Sequence, residues 1–199
     1  MLSRVSKQIA LQFAVRQIIN EEDIEVYEYG INILLTGIVD MVSIIVIGIL
    51  CGKVIECICF MIMFIPLRQY VGGYHSATPK RCFACTLMMI LIVLSAMENI
   101  PWNVYIIWGL LIICGTVIYS LSPVEAKNKP LNDMEKCIYR RKSIIIWCME
   151  MCAAMICTIV KIERININMC IAMAHTVTAV ILLLGKTQLW LNIRKQKNN

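Results

Sequence analysis

The chain has 199 residues, of which 59% are apolar and only 16% charged, and its mean hydropathy is +0.73. Soluble domains average about 45–50% apolar and about 25% charged residues, so this chain has more apolar surface than one water-soluble core can bury. That excludes disorder, a collagen-like rod and an ordinary cytosolic enzyme, and predicts an all-α, polytopic membrane protein.

In chain order, Met1–Asn20 mixes Arg4, Lys7, Gln8, Gln12, Arg16 and Gln17 among its apolar residues. No continuous apolar core of a signal peptide results. Leu2, Val5, Ile9 and Phe13 instead recur at helical spacing, predicting a helix that lies on the inner membrane surface. Asn20, followed by Glu21, Glu22 and Asp23, reads as an N-cap with an acidic first turn, from which a second helix runs into the first span.

Six apolar runs follow: Ile31–Leu50, Val54–Leu67, Cys82–Met97, Val104–Leu121, Ile144–Val160 and Met169–Leu184. A span needs roughly 17–25 residues, so the 14 residues of the second are either extended at their ends or broken by Pro66. Polar or helix-breaking residues separate the runs at Cys51–Lys53, Glu98–Pro101 and Lys161–Asn168. The expectation is one integral membrane domain over 1–199. It has interfacial helices in 1–28, a six-span bundle in 31–184 and a basic cytoplasmic tail in 185–199.

Of the 19 Lys and Arg residues, 16 fall in the N-terminal segment, the second-to-third loop, the fourth-to-fifth loop and the C-terminus; Lys53, Lys161 and Arg164 fall on the other side. By the positive-inside rule, both termini and both long loops are cytoplasmic, in a multi-pass plasma-membrane protein. The net charge of +6 then reads as topology, without a nucleic-acid partner. The eleven cysteines lie mostly inside apolar runs, as small hydrophobes rather than a disulfide framework. The two histidines, His75 and His175, stand 100 residues apart outside any zinc motif, so no metal or other cofactor is expected. Asp40, Glu56, Glu150 and His175 lie in or near spans, where ionisable groups are costly and often functional.

The loop after the second span, Pro66-Leu-Arg68-Gln-Tyr-Val-Gly72-Gly73-Tyr-His75-Ser-Ala-Thr78-Pro79-Lys80-Arg81-Cys82, is too rich in special residues for a simple connector. Gly72-Gly73 permits a tight turn or a close backbone approach. Thr78-Pro79 reads as an N-cap with proline at the first helical position, which sets Cys82 in the first turn of span three. The helix dipole together with Lys80 and Arg81 favours the thiolate there. His75 is the single histidine outside the spans. Along one continuous helix it would sit ~10.5 Å from Cys82, but Pro79 and the cap interrupt that helix and let the loop fold back. A Cys–His pair within reach is the minimal apparatus of covalent acyl transfer. In the fourth-to-fifth loop, Lys127, Lys129, Lys136, Arg140, Arg141 and Lys142 serve topology and anionic lipid, or dock an acidic peptide.

The run Arg68-x-x-x-Gly72-Gly73-Tyr74-His75 with Cys82 seven residues on, and the later Ser122-Pro-Val-Glu-Ala-Lys-Asn-Lys-Pro-Leu131, resemble the AgrB (accessory gene regulator B) family. Size and six-span hydropathy agree over nearly the whole chain. The resemblance implies a membrane-embedded cysteine endopeptidase of quorum sensing. It would cleave the C-terminal tail from a small propeptide and cyclise the remainder as a thiolactone or lactone. His75 and Cys82 would form the catalytic pair, with Arg68, Gly72 and Gly73 in support. The implied partners are the bilayer and a propeptide with an amphipathic leader and an acidic tail; a homodimer stays open, as does the residue that orients His75. A small-peptide permease gated by the Gly-Gly loop is the competing reading.

The topology carries its own test. Cys137 should react with an impermeant thiol reagent only from the cytoplasmic face, and labelling from outside intact cells would overturn the orientation.

Overall fold

The polar and helix-breaking residues of the sequence mark where the helices end. A computed structural model of the chain describes residues 2–74, 78–125, 131–160 and 167–197. The elements in order are α1 (Leu2–Val15), a 3₁₀ turn (Glu21–Asp23), α2 (Ile24–Leu50), α3 (Val54–Val71), α4 (Pro79–Asn99), α5 (Val104–Leu121), α6 (Asp133–Val160) and α7 (Ile167–Lys197). Six of them, α2 to α7, are long and apolar enough to cross a membrane. The protein is a polytopic all-α membrane protein.

The chain divides into two compact units, Met1–Ile47 and Gly48–Asn199. In the first, α1 closes with Gln17 in the left-handed region (φ 58°) while the Ile18 N–H donates to the Phe13 carbonyl at 2.9 Å. This is a six-to-one C-terminal closure. Asn20 has the extended backbone of an N-cap, yet its side chain makes no capping hydrogen bond.

In the second unit, α3 runs straight through Pro66 to Val71, so the short second span is extended at its end rather than broken. A proline in a helix forfeits one backbone bond and crowds the preceding turn, and here it falls just before the last turn. Thr78 is the N-cap of α4 with Pro79 next to it, as the sequence predicts. Asn103 caps α5, accepting from the Ile106 N–H at 2.9 Å. At the start of α6, the Glu135 carboxylate reaches back to accept from the Asn132 N–H at 3.0 Å, one half of a capping box, and the Asn132 carbonyl accepts the first helical bond from the Lys136 N–H at 2.9 Å. That cap starts α6 eleven residues before the predicted span. Lys136, Arg140, Arg141 and Lys142 therefore lie on a helix and not in a loop.

α7 is the hub of this unit, packing against α3, α4, α5 and α6. Its residues Met169 to His175 are all buried in succession, which requires neighbours on every side. Ala172, Ala174, Ala179 and Gly185 let those neighbours come close. One apolar cluster joins Leu111, Ala154, Ile171 and Ala172; a second joins Leu67, Val71, Ile118, Val124 and Leu182.

Along α7, between the residues of these two clusters, lies a buried polar contact. His175, fully buried, shares a 2.8 Å hydrogen bond between Nε2 and Oε2 of Glu150, itself 6% exposed. Removing one member of such a pair strands the other in a poorly solvated interior, at a cost of about 1–3 kcal/mol. His175→Ala should therefore lower the thermal midpoint in detergent well below that of Glu150→Gln, which keeps a hydrogen-bonding group at the same position.

Candidate functional site

The Gly-Gly segment forms a strap that crosses from the end of α3 onto α7. Gly72 (φ 74°) and Gly73 (φ 110°) both occupy the left-handed half of backbone space, which side chains disfavour. The strap is tied at successive points. Val124 N–H donates to the Val71 carbonyl at 3.0 Å, Gly73 N–H to the Val124 carbonyl at 3.2 Å, and Tyr74 N–H to the Ile181 carbonyl of α7 at 3.1 Å. Gly72 and Val124 thus form an isolated parallel bridge between two loops some fifty residues apart. A Cβ on Gly72 would collide with the Val124 carbonyl oxygen, so this glycine is required both by its dihedrals and by its neighbour.

Arg68, half-buried in the last turn of α3, closes the strap from below. One guanidinium nitrogen donates to the Gly72 carbonyl and the other to the Tyr74 carbonyl at 2.8 Å. The planar fork suits two carbonyls at once, which a lysine cannot match. The Arg68 charge also interacts electrostatically with Cys82. Cys82 is exposed in the first turn of α4, its N–H donating to the Thr78 carbonyl at 3.1 Å and its own carbonyl accepting from the Thr86 hydroxyl at 3.1 Å. The structure therefore ties together Arg68, Gly72 and Gly73, while Cys82 stands exposed at the start of α4. His75 lies outside the described residues, directly after the anchored Tyr74. No cluster that could hold a metal ion occurs among the described residues.

The second loop is bound to α6. The Ser122 hydroxyl lies 2.8 Å from that of Ser143, which donates to the Arg140 carbonyl at 2.9 Å. Arg140 in turn donates to the Ser122 carbonyl at 3.2 Å and sits over the Tyr119 ring. Lys136 pairs with Glu125 at 2.7 Å and with Asp133 at 3.8 Å. Of the six basic residues read as serving topology or docking, Lys136 and Arg140 are thus engaged within the chain, Lys142 sits 5.0 Å over the Tyr70 ring, and Lys127 and Lys129 lie outside the described residues. Sequence reasoning missed Ile181, Val124 and Ser143, which act largely through backbone or a hydroxyl. It also missed Gly185, which carries one signal: it interrupts an apolar helix.

A sequence model of the AgrB family, accessory gene regulator B, matches residues 5–184. The chain belongs to the AgrB family. It is a multi-pass membrane protein of this quorum-sensing family. It is 25% identical over 146 residues to AgrB-like protein 2 of Clostridium perfringens, covering 68% of this chain and 67% of that protein. It is 22% identical over 127 residues to an AgrB-like protein of Listeria monocytogenes, covering 63% and 62%. Protein FsrB of Enterococcus faecalis is 21% identical over 140 residues, 69% of this chain and 56% of FsrB. No solved structure matches the chain.

In this AgrB chain the Arg68 fork predicts a specific loss. Arg68→Lys keeps the charge but gives up one of the two carbonyl contacts. Loosening worth about 1.4 kcal/mol should speed amide exchange at Gly73 roughly tenfold, measurable by hydrogen exchange with mass spectrometry. An unchanged Gly73 amide would show that the fork does not hold the strap.

Proposed function

We propose that this protein is a cysteine endopeptidase that removes the C-terminal tail of a small quorum-sensing propeptide and closes the remainder into a thiolactone or lactone. The supporting observation is the position of Cys82: exposed, in the first turn of α4, and within electrostatic reach of the Arg68 guanidinium. A helix N-terminus and a fixed cation both stabilise a thiolate relative to a thiol.

In the proposed reaction, His75 accepts the Cys82 proton and the sulfur attacks the carbonyl carbon of the scissile peptide bond. The oxyanion is met by an amide of the α4 first turn. Arg81 N–H already donates to the Thr78 hydroxyl at 3.4 Å and Cys82 N–H to the Thr78 carbonyl, which makes Lys80 N–H the proposed donor. The C–N bond then breaks, and His75 returns the proton to the leaving amine. A thioester to Cys82 remains. A thiol or hydroxyl of the bound peptide attacks that thioester, its proton passes to His75, and the ring leaves as Cys82 is regenerated. Because exchange between thioesters is nearly balanced in free energy, water must be kept out for ring closure to prevail over hydrolysis. The inner membrane interface supplies that exclusion in the proposed cytoplasmic orientation. Lys127 and Lys129 are the proposed holders of an acidic tail. Lys136 joins them only by releasing Glu125, and Arg140 only by leaving the Ser122 carbonyl.

Incubation with the propeptide and mass measurement of the products tests this reading. Cys82→Ala and His75→Ala should each abolish cleavage with insertion unaffected. Cys82→Ser should be nearly as damaging, since an unactivated hydroxyl is the weaker nucleophile at neutral pH. Cys85→Ala, one turn further along α4, should be mild. Equal effects of Cys82→Ala and Cys85→Ala would show that the nucleophile is misassigned. A wild-type protein that moves the peptide across vesicles uncleaved would be a permease.

A further inference from the structure

We propose that Gly185 of α7 is a positioning residue for the proposed reaction: it is the seat on which the Gly73–Tyr74 strap rests, and it acts through that strap and Arg68 on Cys82. The inference builds on the cysteine-peptidase reading and adds a residue more than a hundred positions from the motif.

The geometry is close from both sides. A Cβ placed on Gly185 would lie 2.6 Å from the Gly73 carbonyl carbon, 2.6 Å from the Tyr74 nitrogen and 2.7 Å from the Gly73 Cα. Reciprocally, a Cβ on Gly73 would lie 2.8 Å from the Ile181 carbonyl oxygen, one helical turn before Gly185, and 3.0 Å from the Ile181 Cγ2. Gly185 itself is buried. The Ile181 carbonyl is also the acceptor of the Tyr74 N–H, so hydrogen bond and close contact register the same two residues of the strap.

Outside the strap itself, the other close glycines in this unit, Gly48 and Gly115, meet a side chain first. The nearest atom to a Cβ on Gly48 is the Cys57 Sγ at 2.9 Å, and on Gly115 it is the Trp147 ring nitrogen at 2.7 Å. Side chains such as these can turn aside. At Gly185 the three nearest atoms are all backbone, and that backbone is pinned by Arg68, Val124 and Ile181. A methyl group on Gly185 must therefore displace the strap by about 0.8 Å to regain an ordinary 3.4 Å contact. Arg68 holds the carbonyls of Gly72 and Tyr74, so its guanidinium follows the strap and its field at Cys82 changes. His75 is the next residue after Tyr74. Displacements of about 1 Å can lower a rate by about 10²-fold without touching the reacting atoms.

The experiment uses purified full-length protein in detergent. Gly185→Ala should lower kcat by about 10²-fold with KM unchanged, and Gly185→Ser should lower it further. Independently of any peptide, the pH profile of Cys82 alkylation should shift in Gly185→Ala. Gly109→Ala, where a Cβ meets nothing within 4 Å, should match wild type in both readouts. Leu111→Ala, in the other apolar cluster, should lower the melting temperature yet leave the alkylation profile in place. Wild-type kcat with an unshifted profile in Gly185→Ala would overturn the inference, as would an equal shift in Leu111→Ala. Should Gly185→Ala not fold, amide exchange in the wild type decides: a protected Tyr74 amide supports the seat, and exchange at the rate of an open loop refutes it. If wild type cleaves no peptide, the peptidase reading falls while the alkylation profile still decides the role of Gly185.

Discussion

Burial of α7 is the constraint on which the larger unit depends. Over Met169–His175, where it is enclosed on all sides, the helix cannot rely on a single apolar stripe; it needs small residues where neighbours cross and partners for any polar group it carries inward. Ala172, Ala174, Ala179 and Gly185 meet the first need, and the Glu150 contact of His175 meets the second. Lipid tails give little drive for helices to associate, because they are as apolar as the side chains. Close packing and an interior hydrogen bond therefore carry more of the stability here than they would in water.

The same helix gives the strap its place. The left-handed glycines let the chain leave α3 at a sharp angle, and the Ile181 carbonyl with the bare Cα of Gly185 receives it. Arg68 then satisfies carbonyls that the end of α3 leaves open, as basic groups near helix C-termini do. One side chain thus joins the end of α3 to both glycyl and tyrosyl carbonyls of the strap. A residue read from sequence as an accessory to the site is first of all a structural tie.

Much of this was readable before any coordinates. Hydropathy gave six spans because a bilayer demands long apolar runs, and Thr78-Pro79 gave the start of α4 because capping chemistry is local. The start of α6 was misread, since its first turns carry Lys136, Arg140, Arg141 and Lys142 and resemble a loop in composition. Their partners, Glu125 and the Ser122 carbonyl, come from across the loop. The centrality of α7 is hidden as well, because its stretch Met169–His175, buried all round, has no periodicity to detect. Gly185 was invisible for a related reason: its contacts are with the backbone of a segment over a hundred residues away, and no local pattern encodes them.

The position of the hub in the chain has a consequence for biosynthesis. α3, α4 and α5 leave the ribosome before α7, and α7 supplies both the centre they gather around and the seat of the strap. Until α7 is inserted, Glu150 lacks His175 and the Gly73–Tyr74 backbone lacks its acceptor. Assembly is therefore ordered by translation, with the Gly73–Tyr74 strap among the last parts to settle although it is made early. A nascent chain halted before Ile167 would carry the strap without its acceptor on α7, so completion of the chain itself acts as a timer on the closing of the strap.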